Sequence, residues 1–576
     1  MTIALTFLIK LLLTGLFAEQ AADRSMFISP LRIPLSLSSN FGELRSDHFH
    51  SGIDIRTQGV TGKEVVAAAN GYIYRISVSP GGFGKALYMR HPNGYSTVYA
   101  HLDKFTPEIE EYLISRQYEE KSFMLTLWPS KESFRFEQGD VIAYSGNSGS
   151  SSGPHLHYEI RKTDGEIPVN PFLFDFGISD NIKPVFDKLV IYPISENTFI
   201  NDQNRMLRLD VRGSDGKYEL SSRNEITISG PAGFGFRAHD FINGSGSRFS
   251  VHSIQLNVDN RQVFSYVMDE FSFNETRYIN SHIDYETYMR DNIYIERAFR
   301  LPNDRLSVYR NLINRGIINF SDNSRHTIEL TVSDMHGNRS VLSFTVTSKP
   351  SPANREKSSG QANSRTGTLM PFDRNNRFVT KDVAVNISTG TLYDTLWFQF
   401  GKSPGEDGMY SDIFDIHNIY TPLHKSYSLS LKPSKLPAGK ESKLLILQID
   451  KKGRKNPVSS SWDKGFVTAS PRTFGTFFIG IDTVPPRITT SGFSSGANLS
   501  GRTELRIRIS DDLSGIKSYD PLIDGKWALF EYDQKNNVLI YTFDATRIRK
   551  GIKHTLTLKV TDNCDNESTL ETEFLW

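Results

Sequence analysis

Residues 139–162, GDVIAYSGNSGSSSGPHLHYEIRK, contain two runs of strand-forming residues joined by a turn rich in glycine and serine. Two upstream stretches have the same texture: EVVAAANGYIYRISV (residues 64–78) and GGFGKALYMRHPNGYSTVYAHL (residues 81–102). Each contains an Asn-Gly pair, which is typical of a tight turn between paired strands. The sequence therefore predicts an antiparallel β domain over residues 30–175.

A helical pattern interrupts this domain. In TPEIEEYLISRQYEEKSF (residues 106–123), Pro107 occupies a favourable first helical position, and Ile109, Leu113 and Ile114 recur at helical spacing. We expect an inserted helix here. Because the insertion, residues 107–136, follows a strand that ends near His101, we expect it to form one wall of a cleft.

The remainder of the chain contains an internal repeat. HTIELTVSDMHGN (residues 326–338) matches HTLTLKVTDNCDN (residues 554–566) in its apolar alternation and in its turn residues. Upstream of each, DNIKPVF (residues 180–186) and DTVPPRI (residues 482–488) share an Asp, a β-branched residue and a Pro at the same spacing. Two copies of one β unit are therefore expected.

We accordingly predict a mainly β fold, with about three β-sandwiches after the N-terminal domain. The predicted order is an immunoglobulin-like (Ig-like) sandwich with an insertion over residues 180–348, a linker or flexible loop over 349–370, a sandwich over 371–480 and an Ig-like sandwich over 481–576.

Composition narrows the functional classes. The chain has 576 residues, with 66 Lys and Arg against 65 Asp and Glu, so its net charge of +1 gives no overall field for capturing nucleic acid. No nucleic-acid partner is expected. The single cysteine, Cys564, forms no intrachain disulfide.

The N-terminus resembles a secretory leader. An apolar run follows Lys10 and ends in small residues, and it is short for a membrane span of about 20 residues. We predict a signal peptide or N-terminal leader over residues 1–22. The protein is then exported to the periplasm, the cell envelope or the extracellular space.

Two short motifs carry metal-binding chemistry. In GPHLHYEI (residues 153–160), the side chains of His155, His157 and Glu159 share one face of a strand. Both histidines of such a pair can hold a metal, or one can hold it while the other acts on a substrate. HSGID (residues 50–54) adds His50 and Asp54. One Asp and two His leave a fourth position for water, as a catalytic zinc requires.

Together with VVAAANGYI (residues 65–73) and TVYAHL (residues 97–102), these motifs resemble the lysostaphin/LytM-type zinc endopeptidases in kind and in order. The resemblance covers roughly residues 35–170. It implies one Zn²⁺ held by His50, Asp54 and His157. It also implies that His101 and His155 are the catalytic histidines that do not bind the metal.

The resemblance further implies a secreted zinc metalloendopeptidase that hydrolyses peptide bonds in peptidoglycan cross-links or in stem or bridge peptides. A zinc-activated water would attack, with His101 or His155 as the general base. One alternative is a non-catalytic or latent wall-binding or regulatory protein. Another is a secreted peptidase that acts on protein substrates. Peptidoglycan or wall peptides are the expected partners, and the C-terminal β domains are expected to bind envelope proteins.

Overall fold

The computed structural model describes residues 26–350 and 367–576. The predicted leader over residues 1–22 lies outside them, as do residues 351–366 of the predicted linker. Strands dominate the described chain, and they form several separate sheets. The prediction of a mainly β fold is confirmed.

The N-terminal domain is built on one 11-stranded sheet whose main path runs β1-β2-β10-β6-β5-β4-β7, with all its pairings antiparallel. Its strands are β1 (Leu37–Ser39), β2 (Ile53–Arg56), β3 (Glu64–Val66), β4 (Gly71–Val78), β5 (Lys85–Arg90), β6 (Tyr95–Phe105), β7 (Leu125–Leu127), β8 (Arg135–Phe136), β9 (Val141–Ser145), β10 (His155–Lys162) and β11 (Ile167–Val169). Short 3-10 turns follow at Asp164–Glu166 and Pro171–Leu173.

Strand β10 places alternate side chains on two different faces. Leu156, Tyr158 and Ile160 are fully buried in the hydrophobic core of the domain. The period of two along a strand therefore sends His155, His157 and Glu159 to the opposite face. Pairing with β2 sets His157 opposite Asp54, and pairing with β6 sets it opposite Ala100. The sheet register thus brings the two sequence motifs side by side.

The predicted insertion helix is present as α1 (Pro107–Glu120), with Pro107 in its first turn. Ile109 and Leu113 are buried in the core of the N-terminal domain. On its other side, the Tyr118 ring packs edge-on against Trp527, with ring centroids 5.3 Å apart. The helix therefore lies between the core of the N-terminal domain and the C-terminal segment that contains Trp527. Its role as a wall of a cleft stays a prediction.

The second domain forms one 12-stranded sheet, which closes through a parallel pairing of β16 with β23. Its strands are β12 (Val185–Pro193), β13 (Phe199–Ile200), β14 (Leu207–Ser214), β15 (Lys217–Leu220), β16 (Thr227–His239), β17 (Ser253–Val258), β18 (Arg261–Val267), β19 (Glu296–Arg297), β20 (Tyr309–Leu312), β21 (Ile318–Phe320), β22 (Arg325–Ser333) and β23 (Arg339–Ser348). Helices α2 (Ile279–His282) and α3 (Tyr285–Asp291) lie in the predicted insertion, with 3-10 turns at Thr276–Tyr278 and Asn314–Gly316. Where the sequence predicts a two-sheet sandwich, the strands join into one continuous sheet, because β15 bridges β14 and β23.

The third domain consists of two five-stranded sheets around one core, together with a two-stranded pair. Its strands are β24 (Thr368–Met370), β25 (Asn376–Val379), β26 (Val383–Ile387), β27 (Leu396–Phe398), β28 (Phe400–Ser403), β29 (Ile413–Ile416), β30 (Ser428–Leu431), β31 (Leu444–Ile449), β32 (Lys455–Val458), β33 (Ser460–Asp463), β34 (Phe466–Ala469) and β35 (Gly475–Ile481). A 3-10 turn at Glu441–Lys443 precedes β31.

The last domain packs a four-stranded sheet, β36-β38-β42-β41, against a five-stranded sheet, β37-β44-β43-β39-β40. Its strands are β36 (Arg487–Ser491), β37 (Ala497–Asn498), β38 (Glu504–Ser510), β39 (Ile516–Ile523), β40 (Lys526–Trp527), β41 (Glu531–Asp533), β42 (Val538–Thr542), β43 (Lys553–Asp562) and β44 (Glu567–Leu575). The Ig-like class of this domain and the predicted domain boundaries stay predictions. Within the described residues, every helix is too short or too polar to cross a bilayer.

Candidate metal centre

His50, Asp54 and His157 converge on one point between β2 and β10. Asp54 Oδ1 lies 3.1 Å from His50 Nε2 and 2.9 Å from His157 Nδ1, and the two ring nitrogens are 3.0 Å apart. All three side chains are buried. The structure therefore brings together the three residues that the sequence predicts as metal ligands.

The remaining ring nitrogens show which atoms are available to a metal. His50 Nδ1 donates to the Asn40 carbonyl oxygen at 2.8 Å and lies 3.0 Å from the Ser39 hydroxyl. His157 Nε2 donates to Glu159 Oε1 at 2.9 Å. Such outer hydrogen bonds fix the tautomer and the orientation of a ligating imidazole. His50 Nε2, His157 Nδ1 and Asp54 Oδ1 thus form a donor set that matches a catalytic zinc site with an open fourth position.

Glu159 is held as a carboxylate in a fully buried position. Burial alone would raise its pKa, but the Arg161 guanidinium and the hydrogen bond from His157 outweigh burial and lower it to about 2. Arg161 Nε donates to Glu159 Oε2 at 2.5 Å, and the Ser51 hydroxyl donates to Oε1 at 2.5 Å. Glu159 thus links the His157 ring to the Arg161 guanidinium.

Close contacts within the cluster shift the pKa values of Asp54 and His157. The pKa of Asp54 lies well below its ordinary value because the charges and hydrogen bonds of His50 and His157 outweigh burial. Burial would lower the pKa of His157, yet its hydrogen bonds to Asp54 and Glu159 raise it to about 9. A metal held by His157 Nδ1 would displace that proton, so metal binding would release a proton.

His101 and His155 stand beside the three ligands. Their ring centroids are 4.8 Å apart, and the His101 ring is 5.9 Å from that of His157. His101 has a φ of 59°, which is rare in a strand, at a point where the pairings of β6 shift register. A local bulge of this kind re-aims a side chain, here toward the metal cluster.

In each of these two histidines, Nδ1 is the ring nitrogen that bonds to the backbone. His101 Nδ1 donates to the Ser148 carbonyl oxygen at 2.9 Å, and His155 Nδ1 donates to that of Gly153 at 2.8 Å. His155 Nε2 lies 3.6 Å from Asp54 Oδ1. Burial, and then the nearby His157 and His155, lower the pKa of His101 to about 3, so its ring is neutral at neutral pH.

Two residues at this site were not predicted from the sequence. Arg45 donates to the Ser39 hydroxyl at 2.8 Å and to Asp54 Oδ2 at 3.3 Å, leaving Oδ1 for the metal. Phe83 packs on the His157 ring with centroids 5.0 Å apart. Arg45 lies only nine positions before Asp54, whereas Phe83 reaches the cluster from a distant segment, and neither has a recognisable spacing signal.

Two other residues near the HSGID motif have structural roles. A Cβ atom at Gly52 would lie 2.3 Å from the Tyr158 carbonyl oxygen, so this glycine permits close packing against β10 rather than access by a ligand. His48 is exposed, pairs with Asp47 at 2.8 Å and lies outside the cluster.

Comparisons with known proteins agree with this geometry. Residues 48–114 and 128–171 match the model of peptidase family M23, and residues 367–482 match that of a Zu5-like domain. The break in the first match falls within the insertion. These matches indicate a LytM-type peptidase domain at the N-terminus.

Curated relatives match about a quarter of this chain. The DD-carboxypeptidase/endopeptidase Mpg of Neisseria meningitidis is 35% identical over 149 residues, which are 25% of this chain and 28% of that protein. The peptidoglycan DD-endopeptidase ShyC of Vibrio cholerae is 29% identical over 158 residues, 25% of this chain and 30% of its own length. The chain thus spans less than a third of the length of these relatives.

Solved structures match the same region. The catalytic domain of the prophage-encoded M23 protein EnpA of Enterococcus faecalis is 25% identical, with a TM-score of 0.19, and the match covers 25% of this chain and 95% of that one. A zinc-containing peptidase from Vibrio cholerae is 24% identical, with a TM-score of 0.20, and the match covers 27% of this chain and 41% of that one.

Proposed function

We propose that this protein is an exported zinc metalloendopeptidase that cleaves peptide bonds in peptidoglycan cross-links or in stem or bridge peptides. The observation that supports the proposal best is the convergence of His50, Asp54 and His157 beside two imidazoles that are not part of the ligand set. The ligand atoms, the outer hydrogen bonds and the neighbouring bases are all present in one place.

Zn²⁺ would be held by His50 Nε2, Asp54 Oδ1 and His157 Nδ1. When bound, it supplies a water of lowered pKa and polarises the scissile carbonyl group. Glu159 keeps the His157 ring in its ligating orientation, and Arg45 holds the second oxygen of Asp54. These contacts limit the reorganisation that metal binding requires.

His101 and His155 would handle protons and charge. Because their Nδ1 atoms donate to backbone carbonyls, both present Nε2 toward the site. One imidazole takes the proton of the attacking water at Nε2 and passes that proton to the leaving amine, while the other, in its protonated form, donates a hydrogen bond from Nε2 to the oxyanion. A neutral ring, as at His101, is the form needed for accepting a proton.

The substrate class and the location rest on relatives and on the predicted leader. Mpg and ShyC carry carboxypeptidase and endopeptidase names, and ShyC is named for peptidoglycan. An exported protein meets this substrate in the periplasm, the cell envelope or the extracellular space. Wall peptides are then the partners of the site, and envelope proteins are candidate partners of the C-terminal β domains.

A latent enzyme is the second candidate, and a contact from the last domain supports it. Lys535, in the turn after β41, donates to the backbone carbonyls of Asn147 and Ser151. The loop that it holds also carries the Ser148 carbonyl that fixes His101. A domain seated on this loop is positioned to restrain access to the site.

Zinc content and muropeptide release by the full-length protein test the proposal. We expect about one zinc per chain and release of peptides. His157→Ala should lose both, because a ligand is gone, while His101→Ala should keep zinc and lose activity. His48→Ala, outside the cluster, is the matched control and should change neither. If wild type holds zinc but releases nothing, the proposed activity is wrong and the latent candidate takes its place.

A further inference from the structure

A second cluster of ionisable side chains lies at the junction between the peptidase domain and the second domain. Asp180, Asp334 and His336 each offer a ligand atom, and these atoms lie within 4.8 Å of one another. Asp240 joins them: it lines, with Asp334 and His336, a cavity of about 10 Å³. This space is about the size of one water molecule or one ion.

Two carboxylate oxygens of this cluster are buried without a hydrogen-bond donor among the described residues. Asp240 is only 3% exposed, yet its Oδ1 has no hydrogen-bond partner among the described residues. Oδ2 of Asp180 is likewise buried and unpartnered there. A buried, unsatisfied carboxylate is costly, so a missing positive partner is indicated.

The sequence repeat allows a comparison within the chain, because the last domain places the equivalent residues in the same arrangement. Val185 pairs with His239, the residue before Asp240, and Arg487 pairs with Ser510, the residue before Asp511. In the first copy the Asn338 side chain donates to Asp334 at 2.7 Å and to the Asp180 carbonyl oxygen at 3.2 Å. In the last domain the Asn566 side chain donates to Asp562 at 2.8 Å and to the Asp482 carbonyl oxygen at 3.1 Å. The equivalent pairs are Asp180 and Asp482, Asp240 and Asp511, Asp334 and Asp562, and Asn338 and Asn566.

The two copies differ in how their carboxylates are neutralised. In the last domain, the backbone amides of Leu513 and Gly515 donate to Asp511 Oδ2 at 3.1 and 2.7 Å. The Ser514 amide donates to Asp482 Oδ2 at 3.0 Å. In the first copy the equivalent amide, that of Asn243, donates to Asp180 Oδ1 at 3.1 Å, but Asp240 Oδ1 receives no donor from the described residues. Asp482, Asp511 and Asp562 also bring their oxygens within 4.8 Å of one another, so the copies differ at one position: Asp511 Oδ2 is satisfied by its own loop, whereas Asp240 Oδ1 is buried without a donor.

We propose that Asp180, Asp240 and Asp334 bind one calcium ion at this junction. Carboxylate oxygens are the ligands that Ca²⁺ prefers, and it tolerates irregular geometry. His336 is exposed, and its Nε2 contacts the Ile178 carbonyl oxygen at 2.9 Å. One exposed imidazole beside three carboxylates favours a hard cation over a transition metal.

The position of the ion gives it a structural role. Asn40 and Asn170 of the peptidase domain line the same cavity. The backbone amide of Asn170 donates to the Asp269 carbonyl at 2.7 Å, and its side chain donates to that of Met268 at 3.1 Å. Calcium would therefore strengthen contacts that already join the two domains. Asn40 also accepts the hydrogen bond from His50, so the ion lies close to the support of a proposed zinc ligand.

Calcium titration of the full-length zinc-loaded protein, after removal of calcium with EGTA, tests this inference. We expect one Ca²⁺ per chain, bound at about 10⁻⁴ M or tighter as in extracellular modules, and a melting temperature several degrees higher. Asp240→Asn should weaken binding at least about tenfold and abolish the calcium-dependent rise. Without calcium this variant should melt no lower than wild type, because it relieves repulsion between carboxylates.

Asp511→Asn is the matched control, because it changes the equivalent residue in the self-satisfied copy; it should leave calcium stoichiometry and affinity unchanged. Asp180→Asn is a second variant in case Asp240→Asn folds poorly. The inference is overturned if wild type binds no Ca²⁺, if Mn²⁺ or Zn²⁺ binds there and Ca²⁺ does not, or if the junction variants keep the calcium response. It is also overturned if Asp511→Asn alone removes the response.

Discussion

Replacing Glu159 with Gln should weaken both the metal site and the fold. The Glu159 and Arg161 side chains are 0% and 4% exposed, so the substitution leaves a buried guanidinium without its main partner. Breaking such a pair costs about 3–5 kcal/mol. Arg161 keeps a contact of 3.1 Å to Glu166, which favours the lower end, about 3 kcal/mol.

The lowered pKa of Glu159 gives a similar magnitude. A carboxyl group whose pKa falls from 4.5 in the unfolded chain to about 2 in the folded protein contributes about 3 kcal/mol at neutral pH. This contribution is fully present above pH 4.5 and is lost as the pH falls through about 2. Because Glu159 also orients His157, we expect zinc affinity to fall about 10-fold to 100-fold.

Competition with a zinc chelator measures the affinity, and thermal unfolding of the zinc-free protein measures the stability. Glu166→Gln is the control: Glu166 contacts the same Arg161 but is partly exposed, so its loss should cost less than about 1 kcal/mol and leave zinc affinity unchanged. Adding Arg161→Met to Glu159→Gln should restore stability but not zinc affinity. Wild-type zinc affinity in Glu159→Gln would refute the orienting role.

Three further substitutions probe more distant supports of the site and of the fold. Lys535→Ala, which releases the loop at Ser151, should lower kcat several-fold with zinc content unchanged; a higher kcat would instead show that the last domain restrains the enzyme. Arg45→Met, which frees one oxygen of Asp54, should weaken zinc binding by about tenfold in chelator competition, and an unchanged affinity would contradict this. The pKa of His424 is lowered to about 4 by burial and by the charges of Lys425 and Arg277. The folded protein therefore loses stability as the pH falls from 6.5 toward 4, where the unfolded chain binds the proton first. His424→Gln should reduce that slope by up to about 1.4 kcal/mol per pH unit in unfolding measurements, and an equal slope would count against it.

The metal centre was predictable where its signal is local. The alternation of His155, His157 and Glu159 follows from the period of a strand, and one short motif contains both His50 and Asp54. That these two motifs meet depends on the pairing of β2 with β10, for which the sequence alone offers only the family resemblance. The site roles assigned to these residues remain proposals that the zinc experiments test.

Other features depend on contacts that no local pattern encodes. The sequence predicts helix α1, but not that its Tyr118 packs against Trp527, about 400 positions away. The left-handed backbone at His101 arises from a bulge between strands and leaves no mark in the alternation of β6. The repeat reveals Asp180 and Asp334, whereas Asp240 is identified only by the register of β12 with β16.

Residues of the second and last domains support the candidate metal centre from outside. Asn40, which accepts the hydrogen bond from His50, is itself fixed by two hydrogen bonds to the backbone of Ser250 in the second domain, at 2.8 and 3.2 Å. On the opposite side, Lys535 of the last domain holds the loop that supports His101. Precise placement of catalytic groups depends on such outer supports. Two domains without catalytic motifs of their own therefore contribute to the geometry of the site.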